Sequence, residues 1–364
     1  MTLNFNFPHY YCNDGKIFVN KLDAVNYNIK NNQYDSFNYD KQVLFNYHDD
    51  IWSKCDWTTE PSKSIDYYYK EQAQRIRDEY DYVMLCYSGG FDSTNILETF
   101  HYNNIKLDKI VVVGAFGRDK FNNDDTNFNG ELYINAYPYL KELGLENITE
   151  THDYSNYCND PKNFSLYEYG EQWVDIIGTR FSPAHWFFRD IEKYVVPPHM
   201  ENKKVAIIFG RDKPHLMYDS TGNPGFFFRD NPVQDYGRLN ERVNNIDRIN
   251  FYWDPNYTNI LIKQVHMLHQ AYPKGYSDFK PLTHFPHQEL YNPDKIVYNL
   301  RKPLLYKSPK NLTPYFSTKD SFLLKDKSGK LFDFYLSGIQ SLKKKTNMEI
   351  LKRPIRSKFY HITK

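Results

Sequence analysis

A chain of 364 residues suffices for one large domain or two ordinary ones, and its 40% apolar residues can fill a core. The 46 Lys and Arg against 45 Asp and Glu leave a formal charge of +1, which speaks against a dedicated nucleic-acid binder. Four cysteines (Cys12, Cys55, Cys86, Cys158) lie far apart with no CxxC pair, which argues against a structural zinc site and a disulfide framework and suits a reducing cytoplasm. No signal peptide is expected from the opening residues, and no apolar run approaches the roughly 20 residues that span a membrane. With 33 Tyr and 26 Phe in the chain, a single aromatic residue is weak support for a base-stacking site.

In chain order, residues 1–60 are polar and aromatic, with a turn predicted at Asn13-Asp14-Gly15, a short strand over 16–20 and no chemistry. A helix is predicted from about 64 to 80, centred on Lys70-Glu71-Gln72-Ala73-Gln74-Arg75. Residues 82–87 form a continuous apolar run, as a parallel strand covered on both faces requires. A helix beginning near Asp92 carries Ile96, Leu97 and Phe100 on one face, and a second strand is predicted over 109–114. A helix over 130–143 follows, ended by Gly144 and disturbed by Pro138, and then a third strand over 147–151. Ser182 and Pro183 open a helix over 183–194, and an apolar strand over 204–209 runs into Gly210-Arg211-Asp212-Lys213. Residues 216–250 read as loop around Asn223-Pro224-Gly225. A helix is predicted over 259–271, stopped by Pro273, and the Lys- and Pro-rich remainder offers a strand candidate over 330–335. The alternation predicts an α/β fold: an open, mostly parallel five-stranded sheet with helices on both faces and additions at each end. Ligands of such sheets bind at the carboxyl ends of the strands, so the segments 88–93 and 210–213, each directly after a strand, are expected on one rim.

The segment Ser88-Gly89-Gly90-Phe91-Asp92-Ser93 carries the most chemistry. Paired glycines let a backbone adopt positive φ and approach a ligand closely. A strand that turns through them into a helix aims unpaired amides outward, and with the helix dipole these attract an anion. Ser88 and Ser93 add hydroxyl donors. Asp92 would repel a phosphate unless a Mg²⁺ ion lay between them. The Lys-containing loop GxxxxGK[ST] is absent, so this would be a different kind of phosphate cradle.

Strand-SGGxDS-helix resembles the signature of the PP-loop ATP pyrophosphatases, a superfamily that includes asparagine synthetase, argininosuccinate synthetase, NAD synthetase, GMP synthetase and tRNA-lysidine synthetase. The lettering, with Phe91 before Asp92, looks closest to the asparagine-synthetase-like branch. The resemblance implies an adenine nucleotide alpha hydrolase fold over roughly 65–215. Residues 1–63 would then be an N-terminal extension, 64–215 the ATP-binding domain, and 216–364 a region that shapes the acceptor pocket. It implies ATP and Mg²⁺ as cofactors, with an AMP-forming ligase reaction. A carboxylate or amide attacks the α-phosphate, pyrophosphate leaves, and an amine displaces AMP. By the same resemblance Ser88, Gly89, Gly90, Phe91, Asp92 and Ser93 bind the nucleotide, and Asp92 and Asp212 hold metal. Arg211 and Lys213 act in catalysis by neutralising the departing pyrophosphate. Val113, Gly114 and Phe116 seat the adenine.

Absences narrow the field. Residue 2 is Thr, not the N-terminal Cys of a glutaminase domain, so none is expected in this chain and nitrogen must come from elsewhere. No paired cysteines support thiolation chemistry. The expected partner besides ATP is a small-molecule acceptor. Two alternatives stand: a tRNA- or DNA-base-modifying enzyme that uses the basic tail (Lys343-Lys344-Lys345, Lys352, Arg353, Arg356, Lys358), and a non-catalytic nucleotide-binding or assembly protein. Nucleic acid is the less favoured partner, because overall charge is balanced. His266 and His269 lack a third ligand nearby in sequence and are expected to be structural, as are His284 and His287. Trp173, Trp186 and Trp253 are expected in the core.

Overall fold

The computed structural model describes residues 9–12, 14–19, 21–31, 43–114, 129–153, 188, 191–210, 216–219, 221–230, 242–243, 245–271, 305–306, 340, 343–344 and 355–363. The chain opens with a small antiparallel sheet. β1 (His9–Cys12) turns through Gly15 at φ 84° into β2 (Ile17–Phe18). Helix α1 (Lys21–Lys30) buries Leu22, Ala24 and Val25, and β3 (Val43–Asn46) pairs with the other edge of β1, giving the order β2-β1-β3. Only β2 and its turn are legible in the sequence, because strands of four residues carry too little periodicity.

A short helix, α2 (Asp49–Trp52), leads to α3 (Ile65–Glu79). Ser64 caps α3 by accepting from the Tyr67 amide at 3.2 Å, and Ile65, Tyr68, Tyr69, Gln72, Ala73 and Ile76 form its buried face. β4 (Tyr82–Cys86) follows, with Val83, Met84 and Leu85 fully buried, then α4 (Phe91–Tyr102) and β5 (Lys109–Gly114). The predicted helix over 130–143 is present in two parts. A π-helical turn (Leu132–Ala136) runs into α5 (Tyr137–Glu142), which carries Pro138 in its first turn. Proline has no amide to give to residue 134, and the ladder is irregular just before it. Gly144, at φ 67°, donates to Lys141 O at 3.1 Å, and Leu145 donates to Leu140 O at 2.9 Å, the two bonds of a Schellman cap. β6 (Thr149–Asp153) and α6 (Glu192–Val195) precede β7 (Val205–Phe209). The expected helix start at Ser182 and Pro183 lies outside the described residues.

Residues 216–250, expected as loop, form four strands. β8 (Leu216–Tyr218) and β9 (Pro224–Phe226) make a hairpin whose turn uses Gly222 at φ 87°, so Pro224 and Gly225 belong to a strand. β10 (Arg242–Val243) turns back antiparallel onto β11 (Ile246–Asn250). β11 does not read as an apolar run because its polar residues find partners: Asp247 accepts from Tyr80 Oη at 2.7 Å, and buried Arg248 pairs with Glu192. The large sheet has the order β10-β11-β7-β4-β5-β6, and its five strands from β11 to β6 are all parallel. The fold is therefore α/β, and the sheet takes a strand from beyond residue 215.

α7 (Asn259–Ala271) packs on α3, with the bounds expected from the sequence. β12 (Tyr360–His361) pairs with β9, and Phe45 N donates to Arg356 O at 2.8 Å, so the chain's last described segment ties the N-terminal sheet to the hairpin. There Trp52, Trp57, Phe226, Phe228, Trp253 and Tyr360 form an aromatic cluster, with Trp253 in the core as expected. Close by in sequence to that segment, Ile355 N donates to Asp230 at 3.0 Å, and Asp230 pairs with Lys21 at 2.9 Å, both side chains fully buried. Trp173, Trp186 and the strand candidate at 330–335 lie outside the described residues. No helix among the described residues is long and apolar enough to cross a membrane.

Candidate functional site

β4 is the first strand of the parallel sheet and lies at its centre. The chain adds β5 and β6 on one side, then crosses to add β7 and β11 on the other. The strand order thus reverses between β4 and β7, and the crevice at their carboxyl ends is where such sheets hold ligands. Cys86 ends β4 opposite Phe209, which ends β7. The loop 88–93 and Gly210 therefore emerge side by side, as expected from their places after two strands.

They touch. A Cβ on Gly210 would come within 2.9 Å of Ser93 N and 3.0 Å of Asp92 C, so only a glycine lets β7 end against the first turn of α4. Gly89 is required twice over: its φ is +81°, and a Cβ there would lie 2.8 Å from the Ala136 amide nitrogen. Gly90 has an ordinary extended backbone (φ −80°, ψ 167°), and its want of a side chain matters for space alone, since a Cβ would meet Glu131 Oε1 at 3.0 Å.

Ser88 and Ser93 lock the turn. Gly90 N donates to Ser88 Oγ at 3.2 Å, Ser88 N donates to Ser93 Oγ at 3.3 Å, and Ser93 Oγ donates to Gly90 O at 3.1 Å. The two hydroxyls are 3.2 Å apart. These bonds shape the backbone of the turn. The first intrahelical bond of α4 runs from Thr94 N to Gly90 O at 2.9 Å, so the amides of residues 91–93 have no acceptor within the helix. Gly90, the N-cap, offers no side chain to them, and the helix start carries the positive end of its dipole.

Asp92 stands in that first turn. Tyr306 donates its hydroxyl to Asp92 Oδ1, and Tyr252 donates to the Asp92 carbonyl at 2.8 Å. Asn95 in turn donates to Tyr252 Oη at 3.0 Å. Burial first, and then the Asp92 charge, hold the Tyr306 phenol far above its ordinary value, so it acts as a donor. Burial likewise pushes the Cys86 thiol up, against a role as nucleophile. Neither Tyr252, Tyr306 nor Glu131 was legible in the sequence. With 33 tyrosines in the chain, no spacing distinguishes the two that reach Asp92.

No group of three or more His, Cys, Asp or Glu able to hold a metal occurs among the described residues. Mg²⁺ needs no such cage: it is held by one or two carboxylates with phosphate oxygens and water. The Asp92 carboxylate, at the positive end of a helix dipole, would suit a Mg²⁺ whose remaining ligands were phosphate oxygens and water. Val113 and Gly114 end β5 on the same rim, both buried. Phe116, Arg211, Asp212 and Lys213 lie outside the described residues. His266 is buried with its Nε2 2.9 Å from Trp57 O, and His284 and His287 lie outside the described residues. Two residues of the basic tail are engaged within the molecule: Arg356 lies 5.2 Å over the Phe227 ring, and Lys358 is 3.7 Å from Asp49.

The chain matches no known family model and no curated protein.

Proposed function

We propose that the chain binds ATP at the 88–93 loop and is an AMP-forming ligase of the PP-loop type. The observation that carries the reading is the meeting of a positive-φ glycine turn, a helix start with glycine at its N-cap and Gly210 at the point where the strand order of a parallel sheet reverses. In this reading the amides of the loop hold the pyrophosphate part of ATP, and Val113, Gly114 and Phe116 seat the adenine. Asp92 and Asp212 would hold Mg²⁺, which when bound would neutralise phosphate charge. Arg211 and Lys213, directly after Gly210 in the sequence, stabilise the departing pyrophosphate. An oxygen of a substrate carboxylate or amide attacks the α-phosphorus, and the bond from that phosphorus to the bridging oxygen breaks. Pyrophosphate leaves with the electron pair, and an amine nitrogen then displaces AMP. The acceptor is a small molecule. The engagement of Arg356 with the Phe227 ring takes one basic residue of the tail away from a nucleic-acid substrate.

The test is product identity. Incubation with ATP, Mg²⁺ and panels of carboxylic acids and amines should yield AMP and pyrophosphate. ADP and phosphate as the products would overturn the α,β-cleavage reading.

A further inference from the structure

The carboxylate of Asp92 is gripped from a part of the chain far away in sequence. Tyr306 reaches it over a separation of 214 residues, and its side chain is buried at 4% exposure. The segment carrying Tyr306 is itself anchored: Tyr69, in α3, donates to the Leu305 carbonyl at 2.9 Å, and Gln264, in α7, donates to Tyr69 Oη at 2.8 Å. The Tyr306 ring packs on Tyr252 with centroids 5.6 Å apart, and Tyr252 holds the carbonyl of the same aspartate. One residue of the phosphate loop thus has its side chain and its backbone fixed by two buried tyrosines that contribute nothing else to the loop's hydrogen bonds described above. An acid in the first turn of a helix needs no such grip for stability, since its own helix amides favour it there. A carboxylate that must meet a metal in one orientation does, because outer partners set the direction of a ligand's lone pairs.

Resting on the nucleotide reading above, we infer that Tyr306 is a positioning residue. It holds one oxygen of Asp92 so that the carboxylate is presented in a single orientation to the Mg²⁺ that accompanies ATP, and the bonds from Gln264 through Tyr69 to Leu305 keep Tyr306 in place.

The experiment is calorimetric titration of the full chain with α,β-methylene-ATP across a series of Mg²⁺ concentrations, with melting curves beside it. Tyr306→Phe keeps the ring and removes the hydroxyl, with its bond to Asp92 and its hydrogen bond with Tyr252. It should shift the Mg²⁺ midpoint of nucleotide binding upward about 10-fold, the lower end of the range for a lost outer partner, and leave binding without Mg²⁺ unchanged. In an Asp92→Asn background the same change should add nothing, because Tyr306 acts through that carboxylate. Tyr69→Phe, which touches neither Asp92 nor the loop, should shift the midpoint the same way by less, and reads the same arm if Tyr306→Phe fails to fold. An unchanged midpoint in Tyr306→Phe, or an equal loss with and without the Asp92 carboxylate, overturns the positioning role while nucleotide binding by the wild type stands. Absence of any binding by the wild type removes the nucleotide reading itself, and with it this inference.

Discussion

The turn from β4 into α4 has no room for a side chain at Gly89 and leaves none at Gly210 beside it, and its two serines point their hydroxyls at each other and at its own backbone. The cluster that joins the two ends of the chain is all side chain: Phe228 lies 5.0 Å from Trp52 and 5.2 Å from Trp253, and Trp57 stacks 5.0 Å from Tyr360. The turn depends on particular residues at particular places, because backbone conformation and close approach admit few alternatives. The cluster depends on volume and shape, which many combinations of large rings supply. One region should fail by losing a ligand, the other by losing the fold.

Phe228→Ala is the harshest test of that difference. Its ring is fully buried and packs on Tyr47, Trp52 and Trp253, so removal should cost about 3–5 kcal/mol in denaturant unfolding. The fraction that stays folded should bind nucleotide normally. Weakened binding by folded protein would show that the two regions are not separate. Gly89→Ala should cost about 1–3 kcal/mol from the strained backbone, with the clash at the Ala136 amide in addition, and abolish nucleotide binding. Ser64→Ala removes the cap of α3 and should lower stability by about 1 kcal/mol with binding intact, as read by thermal melts and titration.

The smallest effect expected is on pH dependence. Burial holds the His48 imidazole below its ordinary value, as it does for His152 and His269. Below about pH 6.5 the unfolded chain takes up protons that the folded chain resists. The stability contributed by neutral His48 is therefore complete above that pH and is lost as pH falls toward the depressed folded value. His48→Asn suits the left-handed backbone at φ 55° and removes the titration. The gap between melting temperatures at about pH 7.5 and about pH 5.5 should narrow. An unchanged gap would contradict a contribution of His48 to the acid sensitivity.

The same contrast explains what could be read in the sequence. The apolar runs of β4, β5 and β7, the capped helix α3 and the glycine turn were all legible, because each demands a residue type at a fixed place. β11 was not, since Arg248 and Asp247 are satisfied by Glu192 and Tyr80 from remote parts of the chain. Tyr252 and Tyr306 were hidden for a related reason: what sets them apart is the partner they reach, 160 and 214 residues away, and no local pattern records it. The hairpin β8–β9 was obscured by Asn223-Pro224-Gly225, whose turn-like letters lie mostly in a strand.

The most direct measurement is titration of ATP with Mg²⁺ into the wild type and Gly89→Ala, each first shown to melt cooperatively. Saturable binding by the wild type and none by folded Gly89→Ala is the result predicted for a phosphate cradle at the end of β4. Equal binding by both proteins, or none by the wild type, would contradict it.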